Sequence, residues 1–219
     1  MIKAEYPETA FANKEELPTS YITYLDALVK AAKTKFGEKP RTLDAFAGSG
    51  NSAAYLSKLG LEVTALDSSS HSLRPGEKAS FDRIRTNIWR YKPAELFSVL
   101  HAKDPWDRSD IASAKDIFTY LLKFSSLLKP GGIMMLSSDW LMPTLPTKMA
   151  IHLADFSLLS QISIWTPTAD EQKNDWYDQN HPDDSSHRGV VLCRKNNPGI
   201  ERSDSLLRTI FKAQKFPTY

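Results

Sequence analysis

The sequence is poor in the residues that build disulfide-linked, zinc-binding or repetitive proteins. Its single cysteine, Cys193, excludes an internal disulfide framework and a cysteine-rich zinc module. Nine glycines and 13 prolines in 219 residues exclude collagen-like and low-complexity chains. No apolar run approaches the roughly 20 residues that a membrane-spanning helix needs. These absences predict a chain that folds around its own hydrophobic core and has no membrane partner.

Charge of one sign is also lacking, since 28 basic residues face 26 acidic ones and the formal net charge is +2. A chain this close to balance shows no bulk basic surface for nucleic acid and no acidic one. The first sixteen residues mix acids with apolar residues and have no apolar centre, so they do not read as a secretory signal. We expect a cytoplasmic location, or a nuclear one in a eukaryote.

The composition that is present is that of a folded chain. Hydrophobic residues make up 41% and charged residues 25%, which excludes a disordered protein. The length suits one domain, and no internal repeat or linker divides it. We expect a single domain over residues 1–219. It would consist of a helical segment (1–39), a core of sheet and helices (40–195) and a basic C-terminal helix (196–219).

Hydrophobic periodicity predicts helices that alternate with short strands. The helices are expected at residues 21–36, 52–58 and 117–128, and the strands at 42–47, 61–67, 133–136, 156–165 and 190–193. Residues 84–91 contain a third strand or belong to a helix, and residues 96–101 form a buried strand or part of a helix. The alternation predicts an α/β domain with a mainly parallel sheet, to which the last two strands add a hairpin.

The most informative feature is a glycine turn between the first strand and the following helix. The strand reaches Asp44 and runs into Gly48-Ser49-Gly50. Glycine permits positive φ and close approach to a ligand, and the helix start leaves N–H groups available to that ligand. In a parallel α/β sheet such a turn lies at the carboxyl edge, where ligands bind. Asp67, at the end of the second strand, can accept hydrogen bonds from ribose hydroxyls, so the two features predict an adenine-nucleoside cofactor.

Two better-known nucleotide motifs are incomplete or absent. Ala53 stands at the third glycine of the dinucleotide fingerprint G-x-G-x-x-G, a position where alanine is tolerated. No Gly-Lys-Ser/Thr follows the turn, which excludes a P-loop. A turn that only joins a strand to a helix is the alternative interpretation.

Residues 44–51, Asp-Ala-Phe-Ala-Gly-Ser-Gly-Asn, resemble the first motif of class I S-adenosylmethionine-dependent methyltransferases. The form D-x-F-A-G-S-G is similar to that of the amino-methyltransferases acting on adenine N6 or cytosine N4 in nucleic acids. Lys129-Pro130-Gly131-Gly132 resembles the turn into their late strand, and residues 188–195 resemble their antiparallel last strand. The resemblance covers residues 18–195. It implies a Rossmann-like, mainly parallel sheet with helices on both faces and an antiparallel last strand.

The resemblance also implies a site for S-adenosyl-L-methionine. The residues implied to bind this cofactor are Asp44, Phe46, Gly48, Gly50, Asn51, Asp67 and Ser68. Those from Asp44 to Gly50 would line the methionine part, Asp67 would hold the ribose, and Ser68 would lie beside the adenine. Asn87 is a further adenine contact if residues 84–91 contain the third strand.

Amino-methyltransferases of this kind carry the loop Asp/Asn/Ser-Pro-Pro-aromatic after the fourth strand. Its polar group and a proline carbonyl accept hydrogen bonds from the target amine, and the aromatic ring stacks on the flipped base. The corresponding residues here are Asp104-Pro105-Trp106, one proline short. The resemblance implies that Asp104 and Pro105 bind the amine and Trp106 stacks, with DNA or RNA as substrate. An ordinary turn with a packed Trp106 is the alternative, and a helix at residues 96–101 would remove the assignment.

Residues 166–186, between the last two predicted strands, are strongly acidic. Six acidic residues face Lys173 alone: Asp170, Glu171, Asp175, Asp178, Asp183 and Asp184. Acidic residues near the pocket would repel a phosphate backbone. They favour a small cationic or neutral acceptor, or a protein partner that supplies basic surface; a solvated polar loop is the alternative. His181 and His187, beside two of these acids, lack the placement of a metal site, and no metal is expected.

Three functions stay open from the sequence. The first is an S-adenosylmethionine-dependent methyltransferase acting on an exocyclic amino nitrogen of a nucleobase. The second is a small-molecule or protein methyltransferase with the same cofactor site. The third is a methyltransferase fold without catalysis, kept as a binding or assembly subunit. The shortened Asp-Pro-Trp loop favours the third function, whereas the complete glycine turn and Asp67 oppose it.

Overall fold

The computed structural model describes residues 19–48, 50–68, 80–103, 105, 114–138, 151, 154–165 and 187–195. These residues include three helices, α1 (Thr19–Phe36), α2 (Asn51–Lys58) and α3 (Ala114–Leu127). They also include seven strands: β1 (Arg41–Ala45), β2 (Glu62–Asp67), β3 (Asp82–Arg85), β4 (Phe97–Lys103), β5 (Leu128–Ser138), β6 (Phe156–Trp165) and β7 (His187–Arg194).

The described strands form one sheet in the order β3-β2-β1-β4-β5-β7-β6. The first five strands of this order are parallel, and β7 is antiparallel to both of its neighbours. The chain order reverses beside β1, which lies between β2 and β4. In open parallel sheets this switch point opens a crevice at the carboxyl ends of the strands, where ligands bind.

Helices cover both faces of the sheet, as expected. Successive residues of a strand face opposite sides, so Val99 and Leu100 of β4 belong to different buried clusters. Leu100 packs in the cluster that contains Leu121 and Phe124 of α3. Val99 packs in the cluster that contains the buried residues of α1 and α2. The Rossmann-like architecture with an antiparallel last strand is therefore confirmed.

Helix α1 begins two residues earlier than predicted and ends where expected. Its buried side chains repeat at three- and four-residue spacing on one face: Tyr24, Leu25, Leu28, Val29 and Ala32. Gly37 ends the helix at a φ of 91°, and its N–H donates to the Lys33 carbonyl at 2.9 Å. None of the helices in the described part of the chain has the length and hydropathy to cross a membrane.

The third strand is earlier and shorter than predicted. It covers Asp82–Arg85 instead of running toward residue 91, and the alternative helix over this segment is wrong. Asn87 explains the early end, because its Oδ1 accepts a hydrogen bond from the Trp89 N–H at 2.9 Å. This side-chain bond stabilises a turn at residues 88–90, in competition with a longer strand.

Residues 97–103 form strand β4, so the helical alternative for residues 96–101 is wrong. All of its residues from Phe97 to Ala102 are buried, as expected for a central strand covered on both faces. The strand ends at Lys103, directly before Asp104. The condition on which the Asp104-Pro105-Trp106 assignment depended is therefore met.

Strand β5 is longer than the predicted residues 133–136 because it begins before the Lys-Pro-Gly-Gly turn. Helix α3 ends at Leu127, and Leu128 already pairs with Phe97 of β4. The next paired residues are Val99 and Ile133, so residues 129–132 bulge out of the ladder. A Cβ atom at Gly132 would lie 2.8 Å from the Lys129 carbonyl oxygen, so this bulge requires glycine.

The last two strands form the predicted hairpin at the edge of the sheet. Strand β6 matches residues 156–165, whereas β7 starts three residues earlier than expected, at His187. Strand β7 inserts between β5 and β6, and Leu192 faces Met134 on one side and Leu158 on the other. The C-terminal segment, residues 196–219, lies outside the described residues, and its helix stays a prediction.

Candidate cofactor-binding site

The glycine turn follows β1 with the backbone geometry that the sequence predicted. Gly48 has a φ of 53° and Gly50 a φ of 87°. The Gly50 N–H donates to the Ala47 carbonyl at 2.8 Å, which closes the turn. The Ala47 N–H donates to the Leu66 carbonyl at 3.1 Å, which ties the turn to the end of β2. The turn is therefore fixed at the carboxyl edge of the two strands.

Gly50 is also the N-cap of α2, and its conformation leaves the start of this helix open. No side chain among the described residues caps the helix. The first backbone N–H groups of a helix have no partner within the helix, so they can bind a ligand. A Cβ atom at Gly50 would lie 3.1 Å from the Phe81 ring, so both the backbone and the space favour glycine. Asn51 is exposed as the first helical residue.

Asp67 lies at the end of β2 and contacts the glycine turn directly. Its Oδ2 accepts a hydrogen bond from the Gly48 N–H at 2.9 Å. The side chain is partly buried, and the next residue, Ser68, is exposed. The structure therefore brings Asp67 and the turn together, and it places Ser68 beside them in the chain.

A buried acid–histidine pair lies behind the turn, and sequence analysis missed its second member. Asp44 of β1 is the register partner of His101 of β4, and both side chains are only 1% exposed. Nδ1 of His101 lies 2.5 Å from Oδ1 of Asp44. A carboxylate can only accept, so the His101 Nδ1–H is the donor. The second oxygen, Asp44 Oδ2, is buried and has no hydrogen-bond partner among the described residues.

An aromatic cluster of Phe46, Trp89, Tyr120 and Phe124 lies beside the turn. The Phe46 ring centroid is 6.4 Å from that of Tyr120 and 6.3 Å from that of Phe124. Phe46 has a φ of 61°, which is unusual for a bulky residue, and these contacts help to hold it there. The Trp89 and Tyr120 rings are tilted by 57° with their centroids 5.0 Å apart. Trp89 is 43% exposed, so the cluster presents an aromatic surface to solvent.

Two ionisable side chains next to this cluster have displaced pKa values. Burial raises the pKa of the Tyr91 phenol, with Asp82 adding to the rise and Arg41 opposing it. Burial lowers the pKa of Lys123, and nearby Lys92 adds to the effect. The Lys123 ammonium donates to the Tyr91 carbonyl at 2.9 Å. This bond ties α3 to the segment that carries Trp89.

The residues implied to bind the methyl acceptor lie mostly outside the described part of the chain. Pro105 is described and buried, whereas Asp104 and Trp106 are not described. The acidic segment 166–186 also lies outside the described residues. Among the described residues there is no group of three or more His, Cys, Asp or Glu side chains that could hold a metal ion.

Asn87 follows β3 and lies two residues beyond its end. Its side-chain oxygen is engaged by the Trp89 N–H, so the carboxamide shapes the turn after β3. The predicted contact with adenine stays a prediction.

The sequence matches no model of a known protein family, and no curated protein matches it. Several solved structures share its fold. Magnesium protoporphyrin IX methyltransferase from Synechocystis PCC 6803, with bound SAM, aligns with a TM-score of 0.58 and 11% identity over 80% of each chain. The N-methyltransferase NodS from Bradyrhizobium japonicum WM9 aligns with a TM-score of 0.56 and 11% identity over 81% of this chain and 98% of that one.

A ribosomal protein L11 methylase from Lactobacillus delbrueckii subsp. bulgaricus aligns with a TM-score of 0.51 and 19% identity, over 80% of this chain and 79% of that one. All three structures are methyltransferases, and none of the three is named for a nucleic acid. At these identities the likeness establishes architecture alone. The chain has the class I methyltransferase fold.

Proposed function

We propose that this protein is an S-adenosyl-L-methionine-dependent methyltransferase. The proposal rests on one observation: the glycine turn, Asp44 and Asp67 lie together at the switch point of a class I methyltransferase fold. The known structures of similar fold, one of them with bound SAM, support it. A turn that only connected β1 to α2 would not need two carboxylates at the same edge of the sheet.

The residues present fit this cofactor. Asp44 offers a buried carboxylate oxygen to an ammonium group, and the open start of α2 offers N–H groups to a carboxylate. Asp67, held by the Gly48 N–H, would accept hydrogen bonds from the ribose hydroxyls. Trp89 offers a flat surface to an adenine ring. When bound, S-adenosyl-L-methionine supplies an electrophilic methyl group; these residues bind and orient it.

The proposed acceptor is an exocyclic amino nitrogen of a nucleobase in DNA or RNA. The D-x-F-A-G-S-G form of the turn supports this proposal, as does strand β4, which runs up to Lys103. In it, Asp104 and the Pro105 carbonyl accept hydrogen bonds from the amine, and Trp106 stacks on the base. These contacts favour the pyramidal nitrogen that can attack a methyl group. Because the net charge is only +2, a partner protein would supply the basic surface for nucleic acid.

The cofactor is tested by calorimetric titration of the purified protein with S-adenosylmethionine and S-adenosylhomocysteine. We expect micromolar binding of both compounds. Asp67→Ala should weaken the binding of each, because the carboxylate and its hydrogen bond from the Gly48 N–H are lost. Lys30→Ala, an exposed change on α1 and outside the proposed site, is a surface control for fold integrity. A folded sample that binds neither compound would contradict the proposal and favour a binding or assembly subunit.

The acceptor is tested by transfer of a labelled methyl group to single-stranded RNA, single-stranded DNA and small amines. We expect labelling of a nucleobase amine, abolished by Asp104→Ala with cofactor affinity nearly unchanged. Retained turnover in Asp104→Ala would reject the amino-methyltransferase mechanism. Transfer only to small amines would keep the cofactor proposal and replace the acceptor.

A further inference from the structure

The Asp44–His101 pair is a buried polar pair with apolar neighbours on the adjacent strands. Register places Asp44 between Ala65 of β2 and His101 of β4, and His101 between Asp44 and Met135 of β5. Ala65 and Met135 are both fully buried members of the cluster under α1 and α2. A carboxylate in such a place needs hydrogen bonds to both oxygens, because burial has removed its water.

His101 satisfies only one of these oxygens. Its Nδ1–H holds Oδ1 of Asp44 at 2.5 Å, while Oδ2 has no partner among the described residues. Because both oxygens belong to one rigid carboxylate, fixing Oδ1 also fixes the orientation of Oδ2. Asp44 is one residue from the end of β1, so the oriented group lies next to the start of the glycine turn.

We propose that His101 is a positioning residue that orients Asp44 to receive an ammonium group at Oδ2. This inference rests on the proposed function, in which the ammonium belongs to the amino-acid end of S-adenosylmethionine or S-adenosylhomocysteine. An ammonium group would neutralise the charge of the buried Asp44 carboxylate and donate a hydrogen bond to Oδ2. His101 does not touch the ligand; it acts through Asp44.

The test compares two ligands that differ in the amino-acid end. S-adenosylhomocysteine carries this end, whereas 5′-methylthioadenosine keeps the nucleoside and lacks it. Affinities are measured by calorimetry for the full-length wild type, His101→Leu and His101→Asn. The Asn Nδ2–H replaces the His Nδ1–H at the same position in the side chain, so this variant keeps the donor.

We expect His101→Leu to weaken the binding of S-adenosylhomocysteine by about tenfold or more, because loss of a hydrogen bond to a charged group has an effect of this size. Binding of 5′-methylthioadenosine should change by less than about threefold. His101→Asn should restore most of the S-adenosylhomocysteine affinity. A merely structural role would weaken both ligands to the same degree and would not predict this selectivity.

Asp44→Asn provides an independent variant if His101→Leu fails to fold. Its carboxamide oxygen still accepts from His101 but carries no charge, so it should reproduce the selective loss for S-adenosylhomocysteine. Equal weakening of both ligands by Asp44→Asn, or no change in either, would overturn the inference while the cofactor proposal stands. Wild-type protein that binds neither ligand would overturn both.

Discussion

At the scale of single residues, the site depends on backbone conformations that few side chains adopt. Gly50 has a φ of 87°, and a Cβ atom added there would lie only 3.1 Å from the Phe81 ring. Gly60, after α2, has a similar φ of 93°, but there the nearest atom is the mobile end of Lys33. A substitution at either glycine would therefore carry a similar backbone strain, but only at Gly50 would the new side chain contact an aromatic ring.

We expect Gly50→Ala and Gly60→Ala each to lower the free energy of unfolding by about 1–2 kcal/mol, the cost of a left-handed conformation with a Cβ atom. Urea denaturation measures this loss. Only Gly50→Ala should also weaken S-adenosylhomocysteine binding, because only Gly50 opens the start of α2. Equal affinities in the two variants would remove Gly50 from the site.

Sequence reasoning predicted the glycine turn, whose geometry is local, and missed His101, whose contact with Asp44 depends on strand register. The turn could be predicted because positive φ, a helix start and a strand end are all encoded within residues 44–51. The Asp44–His101 pair could not be predicted in this way, because the two residues meet only when β1 and β4 lie side by side. The available indication was a histidine inside the apolar run Phe97–Ala102, where every neighbour is uncharged.

At the scale of elements, strands were predictable where burial gives them a clear pattern. Strand β4 is buried from Phe97 to Ala102 because both of its faces are covered, and most of these residues are apolar. Strand β3 has only four residues, and its half-buried side chains, Arg83 and Ile84, give no such pattern. Its position is determined by pairing with β2 and by the Asn87 turn. The start of β5 escaped prediction for a related reason, since its first residue is separated from the rest by the bulge at residues 129–132.

The hairpin of β6 and β7 offers a matched test of which strand contributes to the core. Leu192 of β7 is fully buried, whereas Leu159 of β6 is 58% exposed at a register shift. We expect Leu192→Ala to cost about 2–5 kcal/mol in urea unfolding, since it leaves a cavity in the core. Leu159→Ala should change the free energy of unfolding by less than about 0.5 kcal/mol. Similar losses in the two variants would contradict this account of the hairpin.

At the scale of the whole molecule, the sheet separates the groups that stabilise the fold from those that would bind a cofactor. The two buried clusters lie on the faces of the sheet, under α3 and under α1 and α2. The polar groups of the candidate site lie at the carboxyl edge, beside the switch point between β1 and β4. The resemblance of residues 44–51 implied this architecture, but periodicity alone could not have given the strand order, which depends on contacts distant in sequence.

This separation makes ligand-linked stability a test of the whole arrangement. S-adenosylhomocysteine at about one hundred times its dissociation constant should raise the free energy of unfolding by about 2.7 kcal/mol, because it binds the folded chain alone. Leu192→Ala should lower the starting stability and keep the full increase, since Leu192 pairs with Met134 in the middle of β5, away from the edge. Gly50→Ala, at the same ligand concentration, should lose most of the increase. The measurement is urea unfolding with and without ligand. If Gly50→Ala keeps the full ligand-dependent increase in the free energy of unfolding, the ligand binds away from the turn. If Leu192→Ala loses that increase, the core and the site are not independent.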